Sequence, residues 1–246
     1  MSIDRASLEP TWFLDADHPA LIAFAEANGA GLRARPPSAA SRGESGLLDG
    51  AAAIEREATT VRAAAISLFY AVRDGIRYNP YNAARASEQF KASSVLARGE
   101  DFCVPKAILL AAAARALGIP ARLGFADVRN HLATPRLLAL MRSDVFAFHG
   151  FTLLWLDRRW VKVAPTFNRS LCDRMGVATT EFDGVHDAML QPFDPAGRQY
   201  MEYLHQYGAF DDFPLELMLE AWRRAYPHFF VDGGAALPTG GSLETD

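Results

Sequence analysis

A proline two residues after a cysteine fixes where the most strongly predicted helix begins. Pro105 is tolerated only in a first turn, because its missing N–H would have no intrahelical partner there. The helix therefore begins near Asp101 or Phe102, and Cys103 falls among its first residues. The run that follows, residues 107–117, is rich in alanine and leucine and is apolar on almost every side. It predicts a helix that is buried in the core of the protein.

The start of a helix is a favourable position for a reactive thiol. The positive end of the helix dipole favours the thiolate there, and the thiolate is the nucleophilic form of cysteine. A free cysteine is otherwise more often a small buried apolar residue, so Cys103 needs a second observation. His149 supplies it, because it lies in residues 145–156, an apolar run that predicts a β-strand. A helix-start cysteine with a histidine on a downstream strand is the pairing that nucleophilic cysteine catalysis requires.

The segments around this pair predict an α+β fold. Residues 145–156 are apolar on both faces, so this strand should be central in its sheet. Residues 119–128 alternate and predict another strand, and residues 159–163 pair back on residues 145–156 as a hairpin. The sheet is therefore at least partly antiparallel, with the cysteine helix in a separate layer. Further helices are predicted towards both ends of the chain, at residues 19–27, 49–74, 93–99, 135–142, 195–206 and 214–226, the last two as one wall of a cleft.

Four segments in the middle of the chain resemble the core of the transglutaminase-like superfamily. They are Gly99–Cys103, Ala114–Arg122, His149 and Trp160–Thr166. Each motif is weak alone, and their order and spacing make the resemblance specific over residues 87–168, a third of the chain. The resemblance implies a papain-like fold with a Cys-His-Asp triad, in which Cys103 is the nucleophile and His149 the general acid and base. The superfamily includes protein cross-linking enzymes, cysteine proteases, peptide N-glycanases and many bacterial proteins, among which this chain is expected to fall.

One position departs from the superfamily pattern. Ala164 stands where the resemblance implies the aspartate of the triad, which orients the histidine and stabilises its charged form. Asn168 could orient His149 instead, as an amide does in papain-like sites, and we rank this alternative first. Asn168 is equally a loop residue that bonds its own backbone. Asp183 could reach in from the following loop, or the site could be a Cys-His dyad or inactive.

Other polar residues are candidates for supporting roles. Gln89 is a candidate donor to an oxyanion, as a glutamine upstream of the cysteine is in papain-like sites, although an exposed helix glutamine is the commoner case. The backbone N–H of Cys103 is the more dependable donor, because N–H groups at a helix start lack intrahelical partners. Asp127, Arg129 and His131 follow a predicted strand edge. They either line the substrate cleft or form a satisfied network of the loop, and we favour the network.

Two further residues carry no predicted chemistry. Cys172 lies in a loop-rich stretch with neither a helix start nor a basic partner, and we interpret it as a packing residue. His186 lies between carboxylates without the spacing of a metal site. We therefore expect no metal and no cofactor.

Composition limits the class of protein. The chain has 246 residues and a net charge of −4, which gives no electrostatic reason to expect nucleic acid or anionic membrane as a partner. Two cysteines are too few for a disulfide framework, and no signal peptide or membrane span is evident, so we expect a cytoplasmic protein. The length fits one domain over residues 1–232, with residues 233–246 as a tail and residues 35–46 as a mobile loop.

Two functions follow from these observations. The first is an enzyme in which Cys103 forms an acyl-enzyme with a peptide, a protein or a small amide or thioester, followed by hydrolysis or transfer to an amine. The second is a non-catalytic binding module of the same fold, for which Ala164 is the support. The sequence fixes neither the substrate nor the oligomeric state.

Overall fold

The computed structural model describes residues 4–34, 50–81 and 86–230, with side chains of the second range from residue 57 onward. The predicted loop at residues 35–46 and the predicted tail at residues 233–246 lie outside the described residues. Within the described ranges there are seven α-helices: α1 (Pro19–Asn28), α2 (Gly50–Gly75), α3 (Ala92–Arg98), α4 (Cys103–Ala116), α5 (Pro135–Met141), α6 (Arg169–Met175) and α7 (Leu215–Ala225). None of the helices in these ranges has both the length and the apolar character to cross a bilayer.

In the described part of the chain, six strands form two sheets. The strands are β1 (Arg77–Tyr78), β2 (Glu100–Asp101), β3 (Ala121–Asn130), β4 (Val145–Leu156), β5 (Arg159–Val163) and β6 (Met201–Phe210). The main sheet has the order β5-β4-β3-β6 and is antiparallel throughout, whereas β1 and β2 form a short parallel pair. The predicted hairpin of β4 and β5 is confirmed residue for residue, and β4 is central, as its two apolar faces indicated.

The cysteine helix α4 forms the centre of the fold. Every residue of α4 after Cys103 is buried, because β4 covers one side while α1, α2 and α3 pack around the others. Its one buried ammonium, Lys106, donates hydrogen bonds to the carbonyl oxygens of Arg73 (2.9 Å) and Ile76 at the end of α2. Burial lowers the pKa of Lys106 to about 7. The predicted α+β architecture, with this helix on a mainly antiparallel sheet, is confirmed.

The helix predicted at residues 195–206 is wrong. Gly197 has a φ of +78° and ends a turn, and β6 (Met201–Phe210) then pairs along β3. The apolar side chains of Tyr200 and Met201 are buried in the core cluster on the sheet. Two buried residues in so short a segment fit either a helix or a strand. The segment forms a strand because it pairs with the free edge of β3.

Candidate active site

Cys103 is the first residue of α4, as Pro105 predicts. The N–H groups of this first turn have no intrahelical acceptors, and the side chain of the preceding Phe102 makes no capping bond. The backbone N–H groups of Gly150 and Val104 act on the thiol and lower its pKa. Backbone N–H groups from α4 and from β4 therefore lie near the thiol.

The thiol of Cys103 is protonated in the resting protein. Burial raises its pKa to about 11, and the backbone donors around the sulfur only partly oppose this effect. The prediction that the helix start would favour the thiolate is therefore wrong for the resting state. Desolvation by surrounding side chains outweighs the helix dipole, whose effect is worth only about 0.3–1 kcal/mol at exposed sites.

His149 lies on β4 opposite Ala126 of β3, and it is 5% exposed. Burial lowers the pKa of its imidazole to about 4, so the ring is neutral near pH 7. Its Nε2 atom is buried and has no hydrogen-bond partner in the described part of the chain. The cysteine and the histidine therefore rest as a neutral thiol and a neutral imidazole.

A glycine brings the two residues together. Cys103 and His149 line the same two cavities, and Gly150 is the point where β4 meets the start of α4. A Cβ atom at Gly150 would lie only 2.8 Å from the Cα atom of Val104. Further along β4, the hydroxyl of Thr152 donates to the carbonyl oxygen of Ala107 (2.9 Å), which holds the helix against the strand.

We expect Gly150→Ala to separate the cysteine from the histidine. The added methyl group meets backbone rather than a flexible side chain, so α4 must shift and the protein should lose about 1–3 kcal/mol of stability. Labelling of Cys103 by iodoacetamide should change while urea denaturation reports the loss. Gly75→Ala is the control, because a Cβ atom there meets nothing within 4 Å, and it should leave both measurements near wild type. Equal behaviour of the two variants would show that close approach at Gly150 is not required.

A bulge between β3 and β4 sets the backbone conformation next to His149. The pairing of β3 with β4 shifts register at Asp127, and Phe148 has a φ of +64°, which a bulky residue rarely adopts. The carboxylate of Asp127 accepts a hydrogen bond from the N–H of Phe148 (3.0 Å) and another from the hydroxyl of Tyr207 (3.0 Å). The Phe148 ring stacks on Phe125 with centroids 4.4 Å apart. These contacts hold the unusual backbone immediately before His149.

Part of the chain is similar to a known protein family. A family model described as the transglutaminase-like superfamily matches residues 49–165. The chain contains a transglutaminase-like superfamily domain. The matched residues include α2, α4 and the hairpin of β4 and β5, so they carry both Cys103 and His149. The predicted resemblance over residues 87–168 is confirmed, and the match begins earlier in the chain than predicted.

The solved structures that resemble this chain include one of low similarity. The chain is similar to the crystal structure of "a Putative Cysteine Protease from Cytophaga hutchinsonii", with 14% sequence identity and a TM-score of 0.40. The likeness covers 82% of this chain and 52% of that chain, so this chain spans about half of that protein's length. No curated protein matches the chain significantly.

The structure does not place Asn168 as the predicted partner of His149. Asn168 precedes α6, where its Oδ1 accepts the N–H of Tyr78 (3.0 Å) and its Nδ2 donates to the hydroxyl of Ser170 (2.7 Å). Both ends of the amide are therefore used in joining α6 to β1. Sequence could not reveal this, because Tyr78 lies 90 residues earlier in the chain.

Asp183, the second candidate, is turned towards its own loop. Its Oδ1 accepts the N–H groups of Val185 and His186 (both 2.8 Å), and its Oδ2 lies 2.7 Å from Nδ1 of His186. These bonds hold the pKa of Asp183 below its usual range. Ala164, which the resemblance places at the position of the triad aspartate, is fully buried in the same apolar cluster as Phe151. A carboxylate partner of His149 is thus absent from the described residues.

The remaining candidates lie outside the site. Gln89 is exposed, and its Oε1 accepts the N–H of Ala86. Arg129 forms an ion pair with Glu202, and Nε2 of His131 lies 3.2 Å from the same carboxylate, which supports the interpretation of a satisfied network. Cys172 is buried, as expected of a packing residue. Across the described ranges, His, Cys, Asp and Glu side chains form no group of three that could hold a metal ion.

Two cavities flank the thiol and the imidazole. The first encloses about 570 Å³ and the second about 530 Å³, including the space that opens to solvent. Tyr78, which pairs opposite Asp101 just before α4, lines both. The predicted wall from the C-terminal helix is present, since Trp222 of α7 lines the first cavity. The other aromatic residues of this wall were not predicted, because no local pattern marks them as cavity residues.

Proposed function

We propose that this protein is a cysteine-dependent acyl-transfer enzyme that acts on an amide, an ester or a thioester. The single observation that carries this proposal is that Cys103 and His149 line the same two cavities, with the start of α4 and its free N–H groups at the sulfur. The superfamily domain supports the same class of reaction. The arrangement provides a nucleophile, a base and oxyanion donors in one place.

The reaction proceeds in two halves. The imidazole of His149 takes the thiol proton as Cys103 sulfur bonds to the carbonyl carbon, and the oxygen becomes an oxyanion near the N–H groups at the start of α4. The bond to the leaving group then breaks, and His149 returns the proton to that group. Water or an amine attacks the resulting thioester, loses its proton to His149 and releases Cys103 as a thiol.

The test is detection of the acyl-enzyme. After incubation with p-nitrophenyl acetate, mass spectrometry should find one acetyl group on the peptide that contains Cys103, and added amine should accelerate its loss if the protein transfers acyl groups. Cys103→Ser should abolish this thioester, whereas Cys172→Ser should keep it, because Cys172 is buried away from both cavities. Acetylation that is unchanged in Cys103→Ser would contradict the proposal.

The second candidate function is a binding module without catalysis. The observation in its favour is that Nε2 of His149 has no partner among the described residues, which agrees with the interpretation that Ala164 occupies the position of the triad aspartate. Such a module should bind ligands in the two cavities and form no thioester at Cys103.

A further inference from the structure

We propose that the first cavity binds an uncharged aromatic or branched aliphatic group carried next to the reactive carbonyl of the substrate. This inference rests on the proposed function, since it names the substrate class of the same site. The cavity begins at Cys103 and His149 and extends between α5, β4 and α7. Its walls are formed mainly by apolar side chains, among them Phe102, Leu137, Met141, Phe146 and Phe229.

Tyr226 and Trp222 line this cavity, and their polar atoms already have hydrogen-bond partners within the protein. The hydroxyl of Tyr226 donates to the carbonyl oxygen of Val145 (2.8 Å) and accepts the N–H of Ala147 (2.7 Å). The indole N–H of Trp222 donates to the carbonyl oxygen of Ala147 (3.1 Å). These side chains therefore present ring surface to a ligand rather than hydrogen-bonding groups.

The cavity also lacks the means to bind a charge. None of its described lining residues is an acid, a lysine or an arginine, and burial keeps His149 neutral. A charged group placed there would lose its hydration without gaining a partner, which is costly. An aromatic ring would instead exchange water for contact with other rings, which is favourable. The second cavity differs, because Asn130, Thr134 and Thr166 contribute polar side chains to its lining.

The two cavities offer a matched pair of variants. Met141 lines only the first cavity and Met175 only the second, both are partly exposed, and each is the last residue of a seven-residue helix. Met141→Glu and Met175→Glu therefore introduce the same charge at equivalent positions of α5 and α6. Any difference between them reports which cavity receives the ligand.

The experiment compares chloroacetamides that share one reactive group. In each, the sulfur of Cys103 forms a bond to the methylene carbon, the C–Cl bond breaks and chloride leaves. The amide carries a methyl, a benzyl, a carboxyethyl or an aminoethyl group, and a Cys172→Ser background leaves Cys103 as the only thiol. Each rate is divided by the rate of the same probe with the protein unfolded in urea, which removes differences in intrinsic reactivity.

We expect the benzyl probe to label Cys103 at least about tenfold faster than the methyl probe, and both charged probes to be slower. Met141→Glu should abolish the benzyl preference and favour the aminoethyl probe, while Met175→Glu should keep the benzyl preference. Equal normalised rates for all four probes would overturn the inference, as would loss of the preference in Met175→Glu alone. The ratio between probes decides this inference, whereas the dependence on His149 decides the proposed catalysis, so the two can fail separately.

Discussion

Replacing His149 by glutamine should slow labelling of Cys103 by iodoacetamide about 10⁴-fold near pH 7, because the proposed base for the thiol proton is lost. The raised pKa of about 11 makes the reason specific to this protein. At pH 7 roughly one thiol in ten thousand would be ionised without assistance, so reaction at neutral pH depends on proton transfer to the imidazole. Glutamine is similar in size and uncharged, as His149 is at this pH, so the fold should persist.

The pH dependence of the labelling rate distinguishes two resting states of the site. One is the neutral thiol and neutral imidazole proposed here, and the other is an ion pair of thiolate and imidazolium. In wild type, His149 must be neutral to accept the proton, so the rate should fall only as the pH drops through about 4. Above that, a plateau should extend towards pH 11, where the thiol ionises by itself. In His149→Gln the rate should rise about tenfold per pH unit until it meets wild type near pH 11.

The control for this measurement is Cys172→Ser, which removes the other thiol and should leave the wild-type profile unchanged. If His149→Gln follows the wild-type profile at every pH, the histidine does not act on Cys103. The proposed mechanism would then be wrong, whatever the structure of the cavities.

The parts of the site that sequence predicted depend on local rules. Pro105 is tolerated only in the first turn of a helix, so it placed Cys103 among the first residues of α4. The strand β4 was identified by its length and its apolar faces, and β5 by the turn between them. These signals lie within a few residues of the feature that they predict.

The parts that sequence did not predict depend on distant residues. The pKa of Cys103 is set by burial, and the cavity that it lines is closed by side chains such as Trp222 and Phe229, more than a hundred residues away in the chain. The role of Asp127 depends on the register between β3 and β4 and on the backbone of Phe148. No local pattern reports such contacts, and the helix dipole alone gave the wrong protonation state.

Ala164→Asp, which introduces a carboxylate at the position that the resemblance assigns to the triad aspartate, should raise the rate of Cys103 acylation about 10²-fold or more. Ala164 follows β5, whose last residue Val163 pairs with Thr152 of β4, and it is buried with Phe151, two residues from His149. A carboxylate close to the imidazole should stabilise its charged form, and loss of such an aspartate costs about 10⁴-fold in a serine protease triad. It should also raise the pKa of His149 above about 4. Rates of p-nitrophenyl acetate turnover against pH measure both effects.

The control variants separate charge from packing. Ala164→Asn has the same shape without the charge and should show little of the gain, while Ala164→Asp combined with His149→Gln should lose the gain and leave the carboxylate buried without a partner. That unpaired charge should lower the stability of the double variant below that of either single variant, because burial of an isolated carboxylate is costly. If Ala164→Asp lowers stability without raising the rate or the histidine pKa, the new carboxylate does not reach Nε2. The unpartnered ring would then count in favour of the binding module, since a carboxylate at the position that the resemblance assigns to the triad aspartate would be unable to complete a triad here.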